Sequence, residues 1–244
     1  MPIDLKIIKY YLWEQFILKY RIRRAKKNPE YENAVKSIDQ RPSFASFTGS
    51  YDISTCSFTI FDLETTGFFP EIGDEIISIG AVKVKNLEVQ HGETFYRVIK
   101  PIKKVSRMTK QLTGLEDEDL NKGVFLPAAI DAFWEYSQDT ILVAHPASFD
   151  INFIQQVSKT WGLPYPTPPY IDSHSLAGSL FELDKNYLDD LIKRYGILLR
   201  ERHHALNDAV MTAEIFIELL KEDQIKSAMS LNDIESLTHV KATI

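Results

Sequence analysis

Apolar residues recur at three- and four-residue steps near the start of the chain. Leu5, Ile8, Leu12, Phe16 and Tyr20 fall on one face of a helix predicted over residues 5–27, a face expected to seek burial. Its last stretch, 20–27, is mostly basic, and Asn28-Pro29 ends it. Residues 28–56 sustain no period and gather Ser, Thr, Gly and Asp at 46–54, so a linker with a short helix near 32–38 is expected. At Ser57 the period changes. Phe58, Ile60 and Asp62 alternate with Thr59 and Phe61, predicting a strand that runs into the turn Thr65-Thr66-Gly67. Residues 76–84 and 93–99 read as two more strands, joined around Asn86 and His91-Gly92. Pro127 opens a helix through Tyr136, and 140–144 is a short buried strand. Ile151, Ile154, Val157 and Trp161 have helical spacing, stopped by Gly162. A proline-rich loop leads to a short strand at 170–172. Leu188, Leu191, Ile192 and Tyr195 stripe one further helix, and Ala209, Thr212, Ala213, Phe216 and Leu220 another. Three strands, a helix, a strand and then helices predict an α/β fold, a mixed sheet covered by helices.

Composition narrows this picture. The 244 residues are 44% hydrophobic and 25% charged, which excludes global disorder. Cys56 stands alone, so neither an intrachain disulfide nor a cysteine-based zinc site can form, as suits a reducing compartment. No apolar run is long enough to span a membrane, and the charged N-terminal stretch lacks a signal-peptide pattern, so a cytoplasmic location is expected. Charge is unevenly spread. Residues 1–50 hold ten Lys/Arg and five Asp/Glu, against a net charge of −6 for the whole chain. A basic arm on an acidic body is suited to meeting something anionic: nucleic acid or a partner. Alternatively, it covers part of the body.

Three segments carry chemistry. In Phe61-Asp62-Leu63-Glu64-Thr65-Thr66-Gly67, Asp62 and Glu64 lie two apart and so share one face of a strand. Close carboxylates repel each other, and a divalent cation such as Mg²⁺ or Mn²⁺ relieves that repulsion. In 144–154, Asp150 stands where a strand and loop enter a helix; a structural role at the helix N-terminus is the alternative. In His203-His204-Ala205-Leu206-Asn207-Asp208-Ala209, Asp208 opens an amphipathic helix and His203 lies on the loop before it. A histidine there is able to accept a proton from water. Asp172-Ser173-His174 resembles a nucleophilic triad only loosely, because no Gly-x-Ser-x-Gly elbow accompanies it.

In order and wording these segments resemble the three motifs of the DnaQ-like exonucleases of the DEDDh group, the family of bacterial polymerase proofreading exonucleases. Softer similarities lie at 112–115, 171–173 and 188–197, and the resemblance covers about residues 56–222. It implies an RNase H-like fold with a five-stranded mixed sheet flanked by helices, preceded by a basic helical extension over 1–55 and followed by a tail over 223–244. It also implies two-metal hydrolysis from the 3′ end of single-stranded DNA, releasing nucleoside monophosphates. Asp62, Glu64 and Asp208 would hold the first Mg²⁺ or Mn²⁺, Asp62 would also touch the second, and Asp150 would hold metal-bound water. His203 would be the general base. Thr65, Thr66, Gly67, Phe68, Leu112, Thr113 and Phe149 would meet substrate, with base stacking on the aromatic rings. Pro146 departs from the family, where asparagine is frequent, so altered loop geometry with retained activity is expected. RNA 3′ ends and a non-catalytic polymerase-accessory role are the rival readings. Removing residues 1–50 is expected to spare catalysis on short oligonucleotides.

Overall fold

The computed structural model describes residues 3–42, 44, 53–166, 168–181 and 186–226. Five strands form one sheet in the order β3-β2-β1-β4-β5: β1 Ser57–Thr65, β2 Ile76–Lys85, β3 Glu88–Val98, β4 Ile141–Ala144 and β5 Tyr170–Asp172. β1, β2 and β3 pair antiparallel, whereas β4 lies parallel to β1 and β5 parallel to β4. The expected mixed sheet is therefore present. β3 begins earlier than the pattern predicts. Asn86 and Leu87, both at positive φ, make a two-residue turn, and a register shift between Val82 and Lys83 accommodates His91-Gly92 within the strand.

Alternation along β1 sends Phe61 and Leu63 to one face and Phe58 and Ile60 to the other. The first face packs on α6 (Leu126–Tyr136) and α7 (Ala147–Trp161). The second packs on α9 (Leu188–Tyr195) and α10 (Ala205–Lys221). Because side chains alternate, Asp62 and Glu64 belong to the α10 face, near the end of β1.

The N-terminal segment differs most from expectation. It comprises α1 (Ile3–Lys9), a π-helical turn (Tyr10–Glu14), α2 (Gln15–Ala25) and α3 (Pro29–Gln40). Leu5, Ile8, Leu12, Phe16 and Tyr20, the stripe expected to be buried, are exposed; Leu18 and Ile22 pack into the core instead. The helix is apolar around more than one face, and spacing does not say which face finds the sheet. The short helix expected near 32–38 is present but longer, Pro29–Gln40, and it packs on the body where a linker was expected. Asn28 ends one helix and caps the next, its side chain accepting from the Glu30 amide at 3.1 Å, with Pro29 in the first turn. Ala34 and Ile38 are buried where α3 meets α6, and the Arg41 guanidinium donates to Asp131 at 2.6 Å. The 46–52 stretch of the expected linker and the 227–244 stretch of the expected tail lie outside the described residues.

Three short helices escaped the periodicity: α4 (Arg107–Thr113), α5 (Asp117–Lys122) and α8 (Ser173–Leu180); α11 (Asp223–Lys226) closes the described chain. α8 shows why. Asp172 caps it, accepting from the His174 and Ser175 amides at 3.0 and 3.1 Å, and the same carboxylate accepts from the Ser148 amide at 3.1 Å. Local capping rather than an apolar stripe starts the helix. Ser173 donates to the Ala144 carbonyl at 2.8 Å and pairs with His145 Nδ1 at 2.9 Å, so its buried hydroxyl links two backbone segments.

Candidate active site

Four acidic side chains converge at the carboxyl end of β1. The last strand positions place Asp62 and Glu64 on one face, and β4 leads through His145-Pro146 into α7, whose first turn carries Asp150. The His145–Pro146 peptide is cis, and Pro146 accepts from the Phe149 amide at 3.2 Å. Asp208 comes from the first turn of α10, packed across β1 and β2. Sequence reasoning therefore picked acids that the fold brings together from three separated segments.

The electrostatics show how crowded they are. Burial, then the Asp150, Glu64 and Asp208 charges, hold the Asp62 carboxyl well above the usual range. Burial raises Asp150 in the same direction, although the Leu63 amide hydrogen-bonds to it and partly offsets the rise. Glu64 is pushed up to about 7, first by burial and then by Asp208. Arg202 opposes the rise at Asp62 and Glu64. Its guanidinium is paired with Asp208 and, at 2.7 Å, with Asp189. The sequence presented Arg202 only as part of a basic loop, and its partner Asp189 lies thirteen residues away in α9.

His203 is exposed and at positive φ, and its amide donates to Asp208 at 3.0 Å. Side-chain atoms of Glu64, His203 and Asp208 lie within 4.8 Å of one another, a spacing that suits one small ion. Buried carboxylates that raise one another's pKa fit a hard divalent cation with oxygen ligands. The neighbouring His204 has a different job: its ring stacks on Tyr96 at 4.6 Å.

Two glycines act as positioning residues: Gly80, which carried no sequence signal, and Gly67, expected instead to meet substrate. Gly80 pairs with Asp62 across the β1–β2 ladder and with Tyr96 across β2–β3. A Cβ at Gly80 would collide with the backbone of Ala205 and Leu206, so glycine allows α10 to approach and bring Asp208 to the acids. A Cβ at Gly67 would collide with the Asp74 carboxylate, which accepts from the Phe69 amide at 3.0 Å and braces the turn after β1.

The expected substrate contacts divide. Phe68 is 75% exposed and meets Phe149 edge-on, with centroids 6.1 Å apart; Leu112 is also exposed. These side chains are available to a ligand. Thr65, Thr66 and Thr113 spend their hydroxyls locally. Thr65 donates to Gly67 O at 2.8 Å, Thr66 accepts from the Glu75 amide at 2.9 Å, and Thr113 donates to Thr109 O at 3.0 Å. They shape the backbone around the site.

Comparison with known proteins agrees with this arrangement. The RNase_T exonuclease family matches residues 59–216. A PolC-type DNA polymerase III from Thermotoga petrophila is 34% identical over 191 residues, 77% of this chain but 14% of the relative. One from Caldanaerobacter subterraneus is 36% identical over 181 residues, covering 74% of this chain and 13% of the relative. The chain thus spans a small part of those polymerases. Among solved structures, the nuclease domain of 3′hExo, a DEDDh family member bound to rAMP, superposes with a TM-score of 0.63 at 20% identity, covering 72% of this chain and 96% of that one. Exonuclease X in complex with 5′-overhanging duplex DNA gives 0.57 at 21%, covering 72% and 99%. Among the described residues, no helix is long and apolar enough to cross a membrane. With the acids gathered at the carboxyl end of β1 and the histidine beside them, the family match is decisive: the chain belongs to the RNase_T exonuclease family and is a DnaQ-like 3′–5′ exonuclease.

Proposed function

We propose that the chain removes nucleotides from the 3′ end of single-stranded DNA, releasing nucleoside monophosphates, in replication proofreading or a related repair or trimming step. The observation that carries this is the cluster of Asp62, Glu64, Asp150 and Asp208 with His203 at its rim. The polymerase names of the relatives support a replication setting, a polymerase partner and a cytoplasmic location. The catalytic domain is assigned to residues 56–222, since β1 opens at Ser57 and α10 closes at Lys221. Residues 1–55 then form the basic helical arm, and 223–244 the tail.

Asp62, Glu64, Asp150 and Asp208 would hold two divalent ions, Mg²⁺ or Mn²⁺. Bound there, such ions supply charge stabilisation for the entering and leaving oxygens of a phosphodiester. The protein's own part begins with these carboxylates, which are deprotonated to bind. Arg202 pairs directly with Asp208 and fixes the position of its carboxylate. His203 accepts the proton of the attacking water at an imidazole nitrogen, and its exposure lets it pass that proton to solvent. Exposed Phe68, beside Phe149, offers the terminal base a ring to stack on, and Leu112 adds an apolar contact.

RNA ends are the second reading, favoured by the fold's likeness to an rAMP-bound nuclease. Matched 5′-labelled DNA and RNA strands, incubated with Mg²⁺ or Mn²⁺ against EDTA and Asp62→Ala controls, separate the readings. A ladder shortening from the 3′ end, lost in both controls and faster on DNA, is the expected result. Binding without a ladder on either strand would contradict the proposal.

A further inference from the structure

We propose that the groove between α2 and α7 tracks the backbone of the single strand whose 3′ end sits in the active site. This inference rests on the exonuclease reading above and adds a path for the upstream substrate. The groove encloses about 580 Å³. Lys19 and Arg23 line it from α2 with Lys26 just beyond its end, and Gln156, Lys159 and Thr160 from α7, with Tyr10 and a single acid, Glu71. Among the described residues, Lys19, Arg23 and Lys159 have no ion-pair or hydrogen-bond partner, and Lys26 only stands over the Tyr31 ring at 5.1 Å. Lys159 alone would suit the last turn of α7 as a counter-charge to the helix dipole. Arg23 has the same role in the last turn of α2, but that role does not explain why both helix ends, with Lys19 as well, turn their cations into one space.

Bringing like charges together is unfavourable unless a polyanion fills the space between them. The chain as a whole is acidic, at −6, so the groove is a local reversal of sign. Its position links it to the chemistry. Glu71 accepts from Asn152 Nδ2 at 3.4 Å, and Asn152 is two residues beyond Asp150 on α7. Phe68, on the turn after β1, meets Phe149 in the first turn of the same α7. Lys159 stands nine residues past Asp150, about 13 Å along the helix, a reach of a few nucleotides. A terminal base at Phe68 and phosphates in the groove would thus belong to one continuous strand.

The test is charge reversal read in two ways. Arg23→Glu with Lys159→Glu is compared with Arg24→Glu, which lies on the same helix but lines a different cavity, with Lys100. Fluorescence anisotropy with a labelled oligonucleotide of about twenty nucleotides in EDTA reports binding without turnover. The double variant is expected to bind at least about tenfold more weakly, with a shallower dependence on salt. In Mg²⁺ or Mn²⁺ it should show a raised KM and unchanged kcat on that strand, and unaltered kinetics on a trinucleotide. Arg24→Glu should change binding less than about twofold, and thermal melts should match wild type. Equal weakening by Arg24→Glu, or equal loss of polyglutamate and oligonucleotide binding, would overturn the proposal in favour of a general polyanion surface. Unchanged binding in the double variant would overturn it directly. Those results concern the groove alone, whereas absence of any ladder from wild-type protein would remove the exonuclease reading on which it rests.

Discussion

Replacing Glu64 with glutamine removes one ionisation from the acidic cluster while keeping the side chain's shape. The Glu64 carboxyl is pushed from 4.5 up to about 7. A folded-state pKa above the unfolded value makes stability full below about 4.5 and lost as pH rises through about 7. The shift corresponds to about 3 kcal/mol lost at pH 8 and under about 1 kcal/mol at pH 5. In EDTA at pH 8, Glu64→Gln should therefore be more stable than wild type by about 3 kcal/mol, or about 6–12 °C in midpoint. At pH 5 the two proteins should nearly coincide. Urea denaturation at both pH values, with and without millimolar Mg²⁺ or Mn²⁺, reads this out. Metal should narrow or invert the order at pH 8, because wild type gains more from binding. A gain of the same size at pH 5 would show that glutamine acts through something other than lost charge. No gain at pH 8 would show that the Glu64 charge is tolerated in the folded site, refuting the electrostatic argument for a metal there.

Asp62→Ala is expected to abolish turnover on labelled strands; retention of more than about a tenth of the wild-type rate would contradict its central place among the acids. His203→Ala should lower kcat by roughly 10²–10⁴-fold with metal affinity by calorimetry largely unchanged, and a collapse of affinity would make it a ligand instead. Gly80→Ala should keep the circular dichroism of a folded protein but lower kcat, because α10 must move away from β2; wild-type turnover would show that Asp208 does not depend on that approach. Ile38→Ala, in the buried face of α3, should cost about 2–5 kcal/mol in urea denaturation, and a neutral result would detach the N-terminal arm from the core.

That last prediction revises the expectation that residues 1–50 are dispensable, since Leu18, Ile22, Ile38 and Phe44 share one core with Phe61 and Trp134. The reason the sequence misled is physical. Leu12 and Leu18 are equally apolar, and only the tertiary partner decides which is covered. β1 was legible because strand alternation is strict and two acids on one face are rare in an apolar run. The helices of 126–136 and 147–161 were legible for their stripes and their proline and glycine boundaries. Gly80, Arg202 and Tyr96 were silent because each acts through a neighbour distant in the chain: the α10 backbone, Asp189 with Asp208, and His204. Asp172 looked like a triad member but serves two backbone segments as a cap.

Asp62 and Glu64 lie in the second half of the first strand, Asp150 follows the fourth, and Asp208 waits on the last long helix. No fragment that stops short of α10 contains the whole set. A chain emerging during synthesis, or one clipped between α9 and α10, carries two of the three contributing segments and lacks the third. On the proposed assignment, nucleolytic competence is a property of the completed fold and of no shorter part of it.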